Sequence, residues 1–205
     1  MLALKAIALT TATLHSRSTF GATSSTIKNA YTDSESHFVK VEAIHTIAAV
    51  AEFGGASQDE VEELMSDFQD IIESDGSSVG AADSGEVVVA AAQAWGFLAT
   101  LIEAEDMEHK SEEACAAMVE QLESSDVSVR VAAGENIALL YETSWTEREA
   151  GDEKAEELED LEPIDYRYVK RYDAYRQEKQ LEHTLGQLAS ESSKRIAKRD
   201  RKSLQ

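Results

Sequence analysis

Three twelve-residue stretches of this chain superimpose without a gap: VKVEAIHTIAAV (39–50), VVVAAAQAWGFL (87–98) and VRVAAGENIALL (129–140). Val opens each and returns at the third position, and Ala fills the fifth as Ala43, Ala91 and Ala133. The ninth is Ile47, Trp95 and Ile137, and the last is Val50, Leu98 and Leu140. Each stretch is apolar around most of a helical circumference, which water does not tolerate on a lone surface helix. Their separations, 48 and 42 residues, fall in the range of helical solenoid repeats, about 40–47 residues. In such a stack an inner helix touches its hairpin partner and both neighbouring units, so it needs apolar residues on several sides.

A second helix type follows each of the first two stretches. SQDEVEELMSDFQDII opens with a capping box, Ser57 and Glu60, and continues as one stripe: Val61, Leu64, Met65, Phe68, Ile71 and Ile72. SEEACAAMVEQL opens at Ser111 and carries Ala114, Cys115, Met118, Val119 and Leu122 on one side. The expected unit is a broad-faced helix followed by a narrow-faced one. Gly54-Gly55 ends the first broad helix, ESDGSSVGAADSG (73–85) reads as a flexible loop, and SSD (124–126) supplies caps. Small residues such as Gly96 and Gly134 are expected to admit close helix contact. The expected fold is all-α, an armadillo/HEAT-like right-handed superhelix of about four hairpin repeats: 1–31, 37–73, 86–123 and 127 onward.

The last unit is interrupted by an acidic insertion, 147–163, which holds the only proline and reads as a solvated loop. Beyond it, Tyr168, Tyr172 and Tyr175, then Leu181, Leu185 and Leu188, follow helical spacing and are expected to form that unit's second helix. The resulting division is a repeat domain over 1–189 and a basic tail over 190–205.

Charge is distributed unevenly. Residues 1–165 carry 35 Asp/Glu against 8 Lys/Arg, whereas 166–205 carry 5 against 11. The acidic body would repel nucleic acid, and the basic end could meet an anionic partner. Lys194, Arg195, Lys198, Arg199, Arg201 and Lys202 recur at a spacing that a helix would gather largely on one side. They are the candidate binding residues, for RNA or ribosome contact or for protein docking; internal charge balance is the bland reading.

Nothing else suggests chemistry. The apolar runs are too short to span a membrane. The single cysteine, Cys115, excludes an internal disulfide and reads as a packing residue. The five histidines form no metal-binding pair, and His45, in an apolar helix, is expected to be a satisfied structural imidazole. Glu103, Glu105, Asp106, Glu108 and His109 read as a solvated turn rather than a cation loop. Gly76, Gly80 and Gly85 lack the Lys-Ser/Thr of a phosphate loop. Trp95 is expected in the core and Trp145 near the surface. No catalytic, cofactor or metal residues are expected, and no small-molecule substrate. The first 32 residues lack acids; within them MLALKAIALTTATL (1–14) reads as an ordinary buried helix, with a mitochondrial presequence over the acid-free stretch as the alternative.

AQAWGFLATLI (92–102), VSVRVAAGENIALLYE (127–142) and LASESSKRIAKRDRK (188–202) resemble, in order and spacing, the interferon-related developmental regulator family. That resemblance implies an armadillo-like domain without catalytic activity. It implies a transcriptional co-regulator that contacts chromatin or repressor complexes or, alternatively, a ribosome- or RNA-associated regulator of translation using the basic segment. It also implies cytoplasmic or nuclear residence. Members of that family extend further at both ends, so a shortened member is expected.

Overall fold

In a computed structural model, the three aligned stretches lie on three helices packed side by side. The structure describes residues 1–149, Asp152 and 167–203, the side chains of 191–203 excepted. The chain divides into two compact units, Met1–Ala174 and Tyr175–Gln205. The first contains α1 (Leu2–Leu14), α2 (Thr19–Asp33), α3 (His37–Gly54), α4 (Gln58–Glu73), α5 (Gly85–Ala99), α6 (Ala104–Gln121) and α7 (Val127–Thr143), followed by strands β1 (Trp145–Glu147) and β2 (Tyr168–Lys170). The second contains α8 (Glu178–Ser203).

Within the first unit the helices form two layers. One is the succession α1, α3, α5, α7, each packed on the next. The other is α2, α4, α6: α4 packs on α6, and α2 reaches α4 through Lys28, whose Nζ lies 2.7 Å from Glu63 and 3.2 Å from Asp67. Equivalent positions have equivalent settings. Ala43, Ala91 and Ala133 are fully buried, as are Val50, Leu98 and Leu140, and Ile47, Trp95 and Ile137 lie in the core. This is a helical-repeat all-α fold.

The pairing differs in phase from the sequence expectation. Close backbone approach joins α2 to α3, α4 to α5 and α6 to α7, whereas α3 and α4 barely approach each other. The tight hairpin is thus a narrow-faced helix followed by a broad-faced one. Short side chains explain the closeness: Ala90, Ala91, Ala92 and Ala94 of α5 and Ala114 and Ala117 of α6 are all buried, and small residues let helix axes come together.

Local signals account for most boundaries. Ser57 caps α4 in a reciprocal box with Glu60, whose carboxyl is held below its ordinary pKa chiefly by the Ser57 backbone N–H. The stripe Val61, Leu64, Met65, Phe68, Ile71 and Ile72 is buried throughout. Asp126 caps α7, accepting from the Ser128 N–H at 2.7 Å. Gly55 ends α3 with φ 84°, a left-handed conformation that favours glycine, and a Cβ there would collide with the Arg17 backbone.

Five expectations are corrected. MLALKAIALTTATL forms α1, but it is not a buried helix: Thr11 is its one buried residue and Leu2, Leu9 and Leu14 stand exposed, because α1 is the first helix of its layer and packs on α3 alone within it. Residues 74–84 are not a featureless loop: they contain a 3₁₀ turn, Ser77–Val79, with Val79 and Ala81 buried, and Asp83 N–H bonds Asp75 C=O across it. Glu105 to His109 are not a turn but the start of α6, which begins seven residues before Ser111 and is preceded by Glu103. Ser111 is itself buried mid-helix, its hydroxyl 3.3 Å from Glu108 C=O and 3.4 Å from Asp173 C=O. Finally, Tyr168 and Tyr172 are not helical. Tyr168–Lys170 pairs antiparallel with Trp145–Glu147, and Tyr172 donates to Leu140 C=O at 3.1 Å and hydrogen-bonds Thr143 Oγ1 at 2.8 Å. Tyr175 precedes α8, which carries Leu181, Leu185 and Leu188.

Of the acidic insertion, residues 150, 151 and 153–163 lie outside the described residues. Its base is held by Arg171, whose guanidinium meets both oxygens of Asp152 at 2.7 and 3.0 Å and donates to Thr146 Oγ1 at 2.6 Å. That pairing, followed by the Glu149 N–H, holds the Asp152 carboxyl below the usual carboxylate range.

Cys115 is completely buried, and burial, with Glu112 adding to it, pushes its thiol up to about 12. At pH 8 a maleimide or disulfide reagent should therefore label the native chain at least about 100-fold more slowly than a free thiol, and at full speed once denatured. Rapid native labelling would contradict the packing.

Candidate protein-binding face

The first layer turns one side to solvent. On α3, α5 and α7 the third positions of the aligned stretches, Val41, Val89 and Val131, are half-buried, half-buried and exposed. The seventh positions, His45, Gln93 and Glu135, are all exposed. His45 is therefore corrected: it stands at the surface rather than inside, because its position faces away from both layers. The same side carries Phe38, 63% exposed, and Phe97, 39% exposed. Between α3 and α5 it sinks into a groove of about 330 Å³ lined by Phe38, Val41 and Val89, with Glu86 and Asp126 at its edge. Phe38 and Phe97 left in water beside valines that repeat on matching rungs mark an interaction surface.

The opposite layer has a different character. A groove of about 950 Å³ between α4 and α6 is lined by Glu62, Asp70, Glu73, Glu113 and Glu120 over a floor that includes Met65 and Trp95. Lys110 bridges to Glu62 at 2.9 Å, and that bond, followed by one from Gln58, lowers the Glu62 pKa. Burial opposes ionisation of Lys28, but its bonds to Glu63 and Asp67 prevail and raise its pKa.

Two buried polar groups tie the rungs together. Lys40 on α3 is 1% exposed, and its Nζ donates to Tyr31 C=O at 2.8 Å and Thr32 C=O at 2.9 Å, at the C-terminal end of α2. A cation there also meets the negative end of the helix dipole. Burial lowers its pKa from 10.5, against the pull of Asp33. Asn136 on α7 donates from Nδ2 to Ala92 C=O of α5 at 2.8 Å, and its Oδ1 occupies the space that a Cβ at Gly96 would require. Close contact at Gly96 is thus as expected. At Gly134 the nearest atom to such a Cβ is Leu122 Cδ2 at 4.0 Å, so that glycine admits no comparably close neighbour.

The six candidate cations, Lys194, Arg195, Lys198, Arg199, Arg201 and Lys202, fall on α8, whose backbone is helical to Ser203; their side chains lie outside the described residues. Trp95 is buried and Trp145, on β1, is 39% exposed. Among the described residues no three His, Cys, Asp or Glu converge in a metal-holding group, and no helix is long and apolar enough to cross a membrane. The sequence reading missed Phe38, Phe97 and Lys40. The signal was available: the third and seventh positions of the aligned stretches, followed outward at helical spacing, trace the solvent-facing rows.

Comparison with known proteins agrees with this architecture. The model of the interferon-related developmental regulator family matches residues 1–205. An uncharacterized protein of Schizosaccharomyces pombe is 35% identical over 174 residues, 84% of this chain and 37% of that protein. The chain thus spans little more than a third of the length of the curated relative it matches. No solved structure matches. A match over the whole sequence, together with repeated rungs in a helical stack, places the chain in a family: it belongs to the interferon-related developmental regulators.

Proposed function

We propose that this chain is a non-enzymatic helical-repeat scaffold that regulates gene expression through protein–protein contacts, in the manner of a transcriptional co-regulator. The observation supporting this is the outward face of α3, α5 and α7. There Val41, Val89 and Val131 repeat from helix to helix, flanked by exposed Phe38 and Phe97. A stacked-helix surface of this kind recognises partners by shape and apolar contact, with no reacting group needed. The partners are chromatin-bound repressor complexes, and the setting is nuclear, with a cytoplasmic pool.

Chain recovered from nuclear extract should bring histone-modifying activity with it, and Val89→Asp/Val131→Asp should reduce that activity at least about tenfold. Absence of the activity from the wild-type sample would overturn the reading.

The six cations on α8 favour a second reading, attachment to ribosomes or RNA. Neutralising phosphates releases counterions, so such binding weakens steeply with salt. Sucrose-gradient sedimentation should show ribosome association at low salt that disappears when Lys194, Arg195, Lys198 and Arg199 become Glu. Sedimentation unchanged by that reversal would remove this second reading.

A further inference from the structure

The scaffold reading leaves open what kind of segment the outward face takes. Resting on that reading, we propose that the face of α3, α5 and α7 binds an amphipathic helix of a partner protein, with apolar residues seven apart and Lys or Arg along its margins.

The spacing argues for a helix. Val41, Val89 and Val131 contribute one rung from each of three successive packed helices, and packed helices lie about 8–10 Å apart. A helix laid across them returns to the same side every seven residues, about 10.5 Å along its axis. An extended chain returns to the same side at about 6.6 or 13 Å and misses alternate rungs. The groove beside Phe38, Val41 and Val89 then receives a bulky apolar side chain, the usual anchor when a helix docks in a groove.

The charge argues for basic margins. Glu52, Glu86, Glu135 and Glu142 are exposed on the three helices, and Asp126 borders the groove. Of the nearby cations, Lys5 pairs with Glu42 at 3.1 Å, and Arg130, which donates to Ser124 C=O and keeps its charge, is outnumbered by these acids. Such a field draws a helix edged with Lys or Arg and repels one edged with Asp or Glu.

The test uses the full chain and two labelled peptides of three heptads, identical in their Leu positions, one per heptad, on an Ala-rich background. One carries Lys at the margins and the other Glu, and binding is read by fluorescence anisotropy. The Lys peptide should bind at least about tenfold more tightly than the Glu peptide. It should weaken by a similar factor with Val89→Ser/Val131→Ser or Phe38→Ser, which remove apolar contact without adding charge, and retain its affinity when Asp70 and Glu113 of the α4/α6 groove become Lys. Unfolding curves like that of the parent certify the variants, which alter partly or fully exposed positions. Equal affinity for the two peptides, indifference to the face substitutions, or loss on reversing the α4/α6 groove overturns the inference. If the peptides fail while Val89→Asp/Val131→Asp still removes the co-purifying activity, the scaffold reading stands alone. Face-specific peptide binding without that activity would retain the helix inference and remove the function.

Discussion

Gly96→Ala should lower the midpoint of thermal unfolding by roughly 6–12 °C, corresponding to about 3 kcal/mol in a chain of this length. Alanine normally gains about 1 kcal/mol over glycine within a helix. Here the added methyl needs the space of Asn136 Oδ1. The amide must leave its seat, breaking the 2.8 Å bond to Ala92 C=O in a buried contact. Overpacking and an unsatisfied buried amide together cost about 4 kcal/mol, which outweighs the propensity gain. The paired control is Gly134→Ala, which meets only Leu122 Cδ2 at ordinary contact distance and should be neutral or stabilise by up to about 1 kcal/mol. In an Asn136→Ala background, Gly96→Ala should cost at least about 1 kcal/mol less than it does alone. Additive losses in that cycle would show that Gly96 and Asn136 do not share the space.

Lys40→Ala should destabilise by a comparable amount, about 3–4 kcal/mol in denaturant titration. It removes a buried stem and leaves the Tyr31 and Thr32 carbonyls without their donor. Lys40→Met keeps the stem and removes the buried charge, so about half that loss is expected. The pH dependence separates the roles. Burial holds the Lys40 ammonium below 10.5, so between its folded pKa and 10.5 the unfolded chain binds more protons, and stability from this group rises with pH across that window. Below the folded value its contribution is constant. Burial, followed by the Asp67 charge, moves Tyr31 the other way, upward from 10, so its own effect is a loss of stability that begins near pH 10. Cys115, held near 12 against an ordinary value of 9, likewise loses stability from about pH 9 upward, so the lysine is isolated by the difference between the parent and Lys40→Met titrations over the same range. A slope that persists unchanged in Lys40→Met would assign it elsewhere.

The rungs were legible in the sequence because they are dictated by packing on several sides at once. Ala43, Ala91 and Ala133 have one tolerated size, and the stripe from Val61 to Ile72 has one helical period, so both read correctly. The phase of the hairpin was not legible: which neighbour a helix approaches most closely depends on where alanines face, a property of two elements together. Tyr168 and Tyr172 misled because their spacing fits a helix, whereas Tyr168–Lys170 is a strand through its pairing with a segment more than twenty residues earlier, which no local period reveals. Lys40 resembled an ordinary charge within an apolar run, and only the arrival of the α2 terminus against α3 gives it a task. The candidate face lay half in view. Its valines were noticed as repeats, but their outward direction follows from the two-layer arrangement that covers every other side.

The clamp of Arg171 on Asp152, with β1 and β2 beside it, fixes the doorposts of the acidic insertion. Closing a longer span between fixed posts adds only about 0.6 kcal/mol for each doubling of length. The insertion is accordingly where this stack can accept new sequence, such as a tag or a grafted epitope, without renegotiating any rung.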